Sequence, residues 1–319
     1  MTAETENAAS VRASADNLRG AFWMLVSVAG ATVMTLGVRE ASDEVHSVML
    51  AFLRSALGAM VVLPLLGRLW PGSAQARRAG PIRFTAWKLH LARGLVFAGA
   101  LNGGFYAIWQ LPLALASALF FLAPVFATAF AGPLLGERVG PRRWAAVGAG
   151  FLGAMVILRP GTEGFDPAML AAVASAMCFG TALVMGRLAS DRDGPDAVFV
   201  SSSVVVALGT LPPALFFWEW PTRAEVWVVI GAVVLASSLR AYADVRAYAV
   251  GDAGFLAPIT YLRLVTVGVA GYLLFGETLD AATLAGSAII VGATLMIALR
   301  ERGAAVRARR RAAALDAES

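Results

Sequence analysis

The chain has 319 residues, 59% of them hydrophobic and 15% charged, with a formal net charge of +5 and a mean hydropathy of +0.71. Soluble domains carry about a quarter charged residues, so this composition excludes an ordinary soluble enzyme or binding module. Cys178 is the only cysteine, which excludes a disulfide framework and a thiol metal cluster.

Residues 1–18 are polar and of mixed charge, without the basic start and cleavage site of a secretory signal. They are expected to form a retained, disordered cytoplasmic tail. Beyond them the chain is dominated by long uncharged runs. Gly20 to Val38, Pro167 to Gly186 and Ala197 to Trp218 carry no charged side chain, and each approaches or exceeds the ~20 residues that cross a bilayer's hydrocarbon. Gly94 to Gly136 is also uncharged. As one helix it would be about 65 Å long, so it must be two spans folded at Gln110-Leu111-Pro112. Ten spans are placed in this way, at 19–39, 47–67, 93–110, 113–135, 142–159, 167–187, 196–218, 225–246, 254–275 and 281–299. The connections are short except Arg68 to Arg93, a basic loop with an interfacial piece at Trp70-Pro71-Gly72.

The basic residues fix the orientation. With the N-terminus inside, only Arg39, Arg159 and Arg223 fall in outer loops, and Arg54, Arg240 and Arg263 fall within spans. All others sit in the inner loops and tails, which places both termini in the cytoplasm and explains the net positive charge without nucleic acid.

Leu134-Leu135-Gly136-Glu137-Arg138 recurs as Leu274-Phe275-Gly276-Glu277-Thr278, 140 residues later. Each copy closes one apolar run and precedes another, the context expected of a duplicated half. Five spans separate equivalent points, and an odd number reverses the second half. The loop charges agree: Arg138, Arg142 and Arg143 follow the first copy, whereas Thr278 and Asp280 follow the second. Similar sequence with opposite loop charge is the pattern of an inverted repeat. The halves are residues 19–160 and 166–300, joined by a linker at 161–165 and followed by a basic tail at 301–319.

Phe52 to Arg54, Leu91 to Gly94, Leu111 to Phe126, Leu134 to Gly140 and Ile157 to Gly161 resemble, in that order, the EamA-type branch of the drug/metabolite transporter superfamily. In the second half, Ala247-Tyr248, Leu256 to Tyr261 and Leu274 to Asp280 resemble the same family's second domain. The resemblance covers essentially the whole membrane part. It implies an all-α integral membrane fold of ten transmembrane helices, in two inverted five-helix repeats around a central cavity. It also implies transport of a small organic solute, relatives being thought to carry amino acids, nucleotide sugars, riboflavin, S-adenosylmethionine or drugs. Relatives of this branch usually have apolar residues where this chain has Arg240, Asp244 and Arg263.

Ionisable groups inside spans are costly and point by default to function. Asp244 is the only carboxylate placed within a span, near its end. Arg240 precedes it by four residues on the same helical face, where either a local ion pair or a substrate or proton role fits. Arg54 matches the family's second-span pattern and reads as a structural lock or cytoplasmic gate. Arg263, mid-span beside Tyr261, suits an anionic group. Asn102, Tyr106, Trp109 and Gln110 lie in span three; Tyr106 and Gln110 share a face that suits a planar or zwitterionic solute, although Trp109 and Gln110 equally suit an interfacial belt. Pro124 and Pro258 are candidate hinges, as is Pro212-Pro213. Glu137 and Glu277 are expected to fix their hairpin loops.

Enzyme signatures are weak. Gly148 to Gly153 matches GxGxxG but lies inside an apolar span, where small residues serve helix packing. Lys88, the only lysine, has no Walker context, and His46 and His90 have no metal-site spacing. The expected activity is therefore secondary transport by alternating access, with no enzymatic activity, metal or cofactor. The rival is a non-transporting scaffold or a membrane-embedded enzyme on the same fold, for which a carboxylate–histidine pair facing a cavity would speak. Expected partners are a small-molecule substrate, the lipid bilayer and, if protons drive transport, a proton carried by Asp244; a homodimer is left open. The dominance of arginine over lysine fits a GC-rich bacterial genome and hence an inner-membrane location.

Overall fold

The computed structural model describes residues 3–60, 80–136, 140–162, 164–251 and 253–318, and every element among them is helical. Eight helices are long and apolar enough to cross a membrane. In chain order the elements are α1 (Ala3–Ala41), α2 (Ser47–Ala59), α3 (Trp87–Gln110), α4 (Leu113–Phe120), α5 (Ala123–Leu135), α6 (Pro141–Leu158), α7 (Ala168–Asp193), α8 (Pro195–Phe216), α9 (Ala224–Val250), α10 (Ala253–Thr260), α11 (Leu262–Phe275) and α12 (Ala281–Glu318).

The helix of α1 runs from Ala3 through the polar N-terminal stretch into the first span. Alanines there favour helix, and the apolar span seeds propagation without a new nucleus. Pro212 and Pro213 lie inside α8 without interrupting it, whereas the fourth and ninth spans are each broken. The break in the fourth falls at Phe121-Leu122, just before Pro124 in the first turn of α5. In the ninth the helix breaks at Tyr261, three residues after Pro258. The breaks, not the prolines, keep the 140-residue spacing of the Gly-Glu repeat. Much of the loop from Arg68 and the first Gly-Glu loop, with Glu137 and Arg138, lie outside the described residues.

The packing has a regular scheme. α1 runs along α9 and α3 along α7; α6 pairs with α12 and α2 with α8. Glycines set the closest approaches. A Cβ at Gly30 in α1 would lie 2.9 Å from the Ala236 carbonyl oxygen and 3.3 Å from Arg240 Cβ of α9. The GxGxxG run has the same packing use: a Cβ on Gly150 would meet Val125, and one on Gly153 would lie 2.9 Å from the Gly286 carbonyl oxygen of α12. The buried cores are dominated by Leu, Ala, Val, Ile and Phe from these crossings.

Candidate functional site

The two helix breaks meet. The rings of Phe121 and Tyr261 lie 5.1 Å apart, and Thr294 of α12 donates to the Phe121 carbonyl oxygen at 3.3 Å. A break frees carbonyls from the helical ladder, and a polar side chain must satisfy them where water is scarce. Beside this junction is a cavity of about 230 Å³ lined by Phe121, Pro124, Thr128, Tyr248, Thr260 and Tyr261, with Arg143 and Arg187 also on its wall.

On the other side of Tyr261 the charged side chains from three spans converge. Arg240 and Asp244, one turn apart on α9, approach to 3.8 Å. Ser27 of α1 donates to Asp244. Arg54 of α2 donates through Nε to Ser237 of α9 at 3.3 Å, and Arg263 of α11 reaches Thr35 of α1 at 3.5 Å. Arg240 is near enough to act electrostatically on both Arg54 and Arg263, and Asp244 acts on Arg263. Tyr248 of the cavity wall lies one helical turn beyond Asp244 on α9, and Tyr261 two residues before Arg263, which sets the cluster beside the cavity. Within the cluster Arg240 and Arg263 neighbour the Asp244 carboxylate, and Arg54 adjoins Arg240. Among the described residues Arg263 Nε is buried with no hydrogen-bond partner.

Span three places its polar residues elsewhere. Tyr106 and Trp109 make an edge contact at 6.0 Å, and Trp109 packs on His46, which stacks on Phe217 at 4.0 Å. Gln110 is exposed at the helix end. Asn102 Oδ1 is buried without a partner. No hydrogen bond or ion pair among the described residues joins these four to the arginine cluster.

That same end of the bundle carries a polar node. Glu277 Oε2 accepts from the Leu113 backbone N–H at 2.7 Å, at the start of α4, and Glu277 Oε1 lies 3.6 Å from Arg39. Arg39 also donates to the carbonyl oxygens of Ile108, at 3.1 Å, and Trp109, at the end of α3. Glu277 therefore fixes a hairpin of the other half of the chain as well as its own loop. Two further ion pairs lie in the loops, Arg223 with Glu44 and Arg159 with Asp280. Hydrogen bonds from Arg223 and Thr222 hold the Glu44 carboxyl down at about 2. Those from Thr283 and Arg159 lower Asp280. Burial pushes the His46 imidazole below its ordinary value.

A carboxylate–histidine pair does assemble, from residues too distant in sequence to be linked by motif. His90 lies 3.0 Å from Asp193 and 2.7 Å from Ser201. Asp193 also accepts from the backbone N–H groups of Thr85, at 3.1 Å, and Ala86, at 2.9 Å. That satisfies donors at the start of α3, where a helix lacks its own acceptors. All three side chains are buried, and none lines the cavity beside the helix breaks. The trio pins α3, α7 and α8 together.

Multiple apolar helices enclosing a charged cluster define a multi-pass membrane transporter, a secondary carrier of small organic metabolites. Residues 18–159 and 166–299 each match the EamA-like transporter family, and the chain belongs to it. Among its relatives, a riboflavin transporter of Vibrio cholerae is 31% identical over 86% of this chain and 91% of its own. An S-adenosylmethionine uptake transporter of Rickettsia prowazekii is 27% identical over 89% and 94%. A pseudopaline exporter of Pseudomonas aeruginosa is 27% identical over 85% and 93%. A solved crystal structure, 22% identical, covers 90% of this chain and 98% of that one with a TM-score of 0.57, which concerns the fold alone. The bacterial relatives and apolar helices make this a multi-pass inner-membrane protein.

Proposed function

We propose that the chain moves a small organic metabolite by alternating access, with the arginine cluster of Arg54, Arg240 and Arg263 around Asp244 as its binding site. The observation that carries this reading is the convergence of those four side chains beside a cavity bounded by two helix breaks. Ionisable groups inside a bundle are retained where they serve a pathway, and discontinuous helices near the midplane are the usual frame for a transport site.

Ten spans in two inverted halves, 19–160 and 166–300, fit the packing. Exchanging each span for its counterpart five later turns the α1–α9 pair into α7–α3, and leaves α6–α12 and α2–α8 as they are. The two family matches divide at the same place. With both termini cytoplasmic, the cavity flanked by Arg143 and Arg187 opens inward, and the Arg39–Glu277 node closes the outer end. Pro124 and Pro258 lie beside the breaks that flex, and the halves rock about Phe121 and Tyr261. Tyr106, Trp109, Gln110 and Asn102 then line the outer route.

The relatives suggest which solutes to test first. Proteoliposomes holding the full chain would be assayed with labelled riboflavin and S-adenosylmethionine, amino acids and nucleosides, with and without a pH gradient. Saturable flux of one class supports the reading. Loss of only the pH dependence in Asp244→Asn assigns a coupled proton to that carboxylate. Absence of flux for every class, in folded and inserted protein, turns the account toward a scaffold.

A further inference from the structure

We infer that the site takes an organic anion, a solute presenting a carboxylate or phosphate group to Arg263 and Arg240, and that Asp244 is an internal competitor for that position. This rests on the proposed transport site and narrows its substrate class.

Arg54, Arg240 and Arg263 come from three different spans, and the carboxylate beside them, Asp244, approaches Arg240 to 3.8 Å. Guanidinium groups stay protonated in proteins, so the cluster holds an excess of positive charge inside the bundle. No other carboxylate is hydrogen-bonded or ion-paired to these arginines among the described residues; their remaining side-chain partners are the neutral hydroxyls of Ser237 and Thr35. Uncompensated charge away from water is expensive, and the excess is relieved when an anion enters.

Geometry points the same way. Among the described residues Arg263 Nε is buried and unpartnered, and one of its terminal nitrogens makes a 3.5 Å contact to Thr35. A guanidinium edge with an unused donor matches the two oxygens of a carboxylate or phosphate. Arg240 is held to Asp244 at 3.8 Å, too long for a good charge-assisted hydrogen bond. A bound anion would draw Arg240 into shorter bonds, while Asp244 keeps its partner Ser27. The carboxylate thus keeps the empty site tolerable and opposes the ligand by like charge. Thr260, Tyr261 and Tyr248 on the adjoining cavity wall supply the softer surface for the rest of the solute.

The test uses detergent-purified full-length protein and thermal unfolding, titrated at constant ionic strength with inorganic phosphate and with succinate against succinamide. A second pair is flavin mononucleotide against riboflavin, one scaffold with and without a phosphate. We expect a saturable rise in Tm with the anionic member of at least one pair and little with its neutral partner. Arg263→Gln should weaken the anion's apparent affinity by about tenfold or more, with partial recovery in Arg263→Lys. Asp244→Asn should tighten it by about three- to tenfold, whereas Lys88→Gln, away from the cluster, should leave it unchanged. Phosphate and succinate separate the two anion chemistries. Equal response to charged and neutral partners, no saturable response to any anion, or a response unchanged in Arg263→Gln and Arg263→Lys would each overturn the inference. Anion binding without flux would leave the site standing and sink the transport reading. Flux of a neutral solute with no anion response would do the reverse.

Discussion

Glu277→Gln isolates the outer node. The side chain would still accept from Leu113 N–H through its amide oxygen, now made at 2.7 Å by Glu277 Oε2, so the hairpin contact is kept. What disappears is the charge facing Arg39, 3.6 Å away in a partly buried setting. Arg39 retains the carbonyl oxygens of Ile108 and Trp109, so the loss is confined to one ionic term and the charge on one hydrogen bond. Charge-assisted hydrogen bonds contribute about 1.5–3 kcal/mol and neutral ones about 1, which puts the change near 1–2 kcal/mol. At about 1.4 kcal/mol per factor of ten, the outward-open fraction should rise roughly 5- to 30-fold. A reporter is available at Ser117, one turn below Leu113 on α4 and 1% exposed. In a Cys178→Ser, Ser117→Cys background, a membrane-impermeant thiol reagent added outside should label the Glu277→Gln protein faster by that factor. Equal labelling rates, in protein of normal abundance, would refute the node as the outer gate.

Two more outcomes follow from the packing and the loops. Gly30→Ala should lower stability by about 1–3 kcal/mol and reduce transport, because the new Cβ would crowd Ala236 and displace Arg240; Gly148→Ala, with nothing within 4 Å, should be neutral in the same thermal-unfolding assay. Stability should fall in acid by two steps. His46 is lowered by burial and its Nδ1 accepts from Val48 N–H only when neutral, so its contribution is full above the unfolded pKa near 6.5 and is lost as pH falls through the lower folded value. Glu44 is held at about 2 and Asp280 is also lowered, so theirs is full above about 4 and lost as pH falls toward their folded values. His46→Gln should remove the first step and Glu44→Gln should reduce the second; curves unchanged by either substitution would contradict these assignments.

The spans were legible because bilayer burial selects composition over whole runs, so Gly20 to Val38 or Pro167 to Gly186 announces itself without any periodicity. The Gly-Glu repeat was legible for the same reason: it punctuates those runs. The helix breaks were not. Pro124 follows its break, in the first turn of α5, whereas Pro258 precedes its own, so the prolines are 134 residues apart and hide the 140-residue correspondence of Phe121 and Tyr261. The Arg240–Asp244 contact could be read from helical spacing. Its meeting with Arg54 and Arg263 could not, since only tertiary packing sets α2 on α9 and α11 on α1. The partners Ser27, Thr35 and Ser237 had no signal at all, being common small hydroxyls of apolar helices. His90 and Asp193, 103 residues apart, lacked any motif.

The central claim is that Arg263 and its neighbours bind the transported solute. Flux measured in proteoliposomes for the best substrate of the panel, comparing wild type, Arg263→Gln and Arg263→Lys at matched insertion, tests it most directly. The account predicts saturable wild-type flux, loss of about tenfold or more in kcat/KM for the glutamine variant, and partial recovery with lysine. Full flux in Arg263→Gln would contradict it.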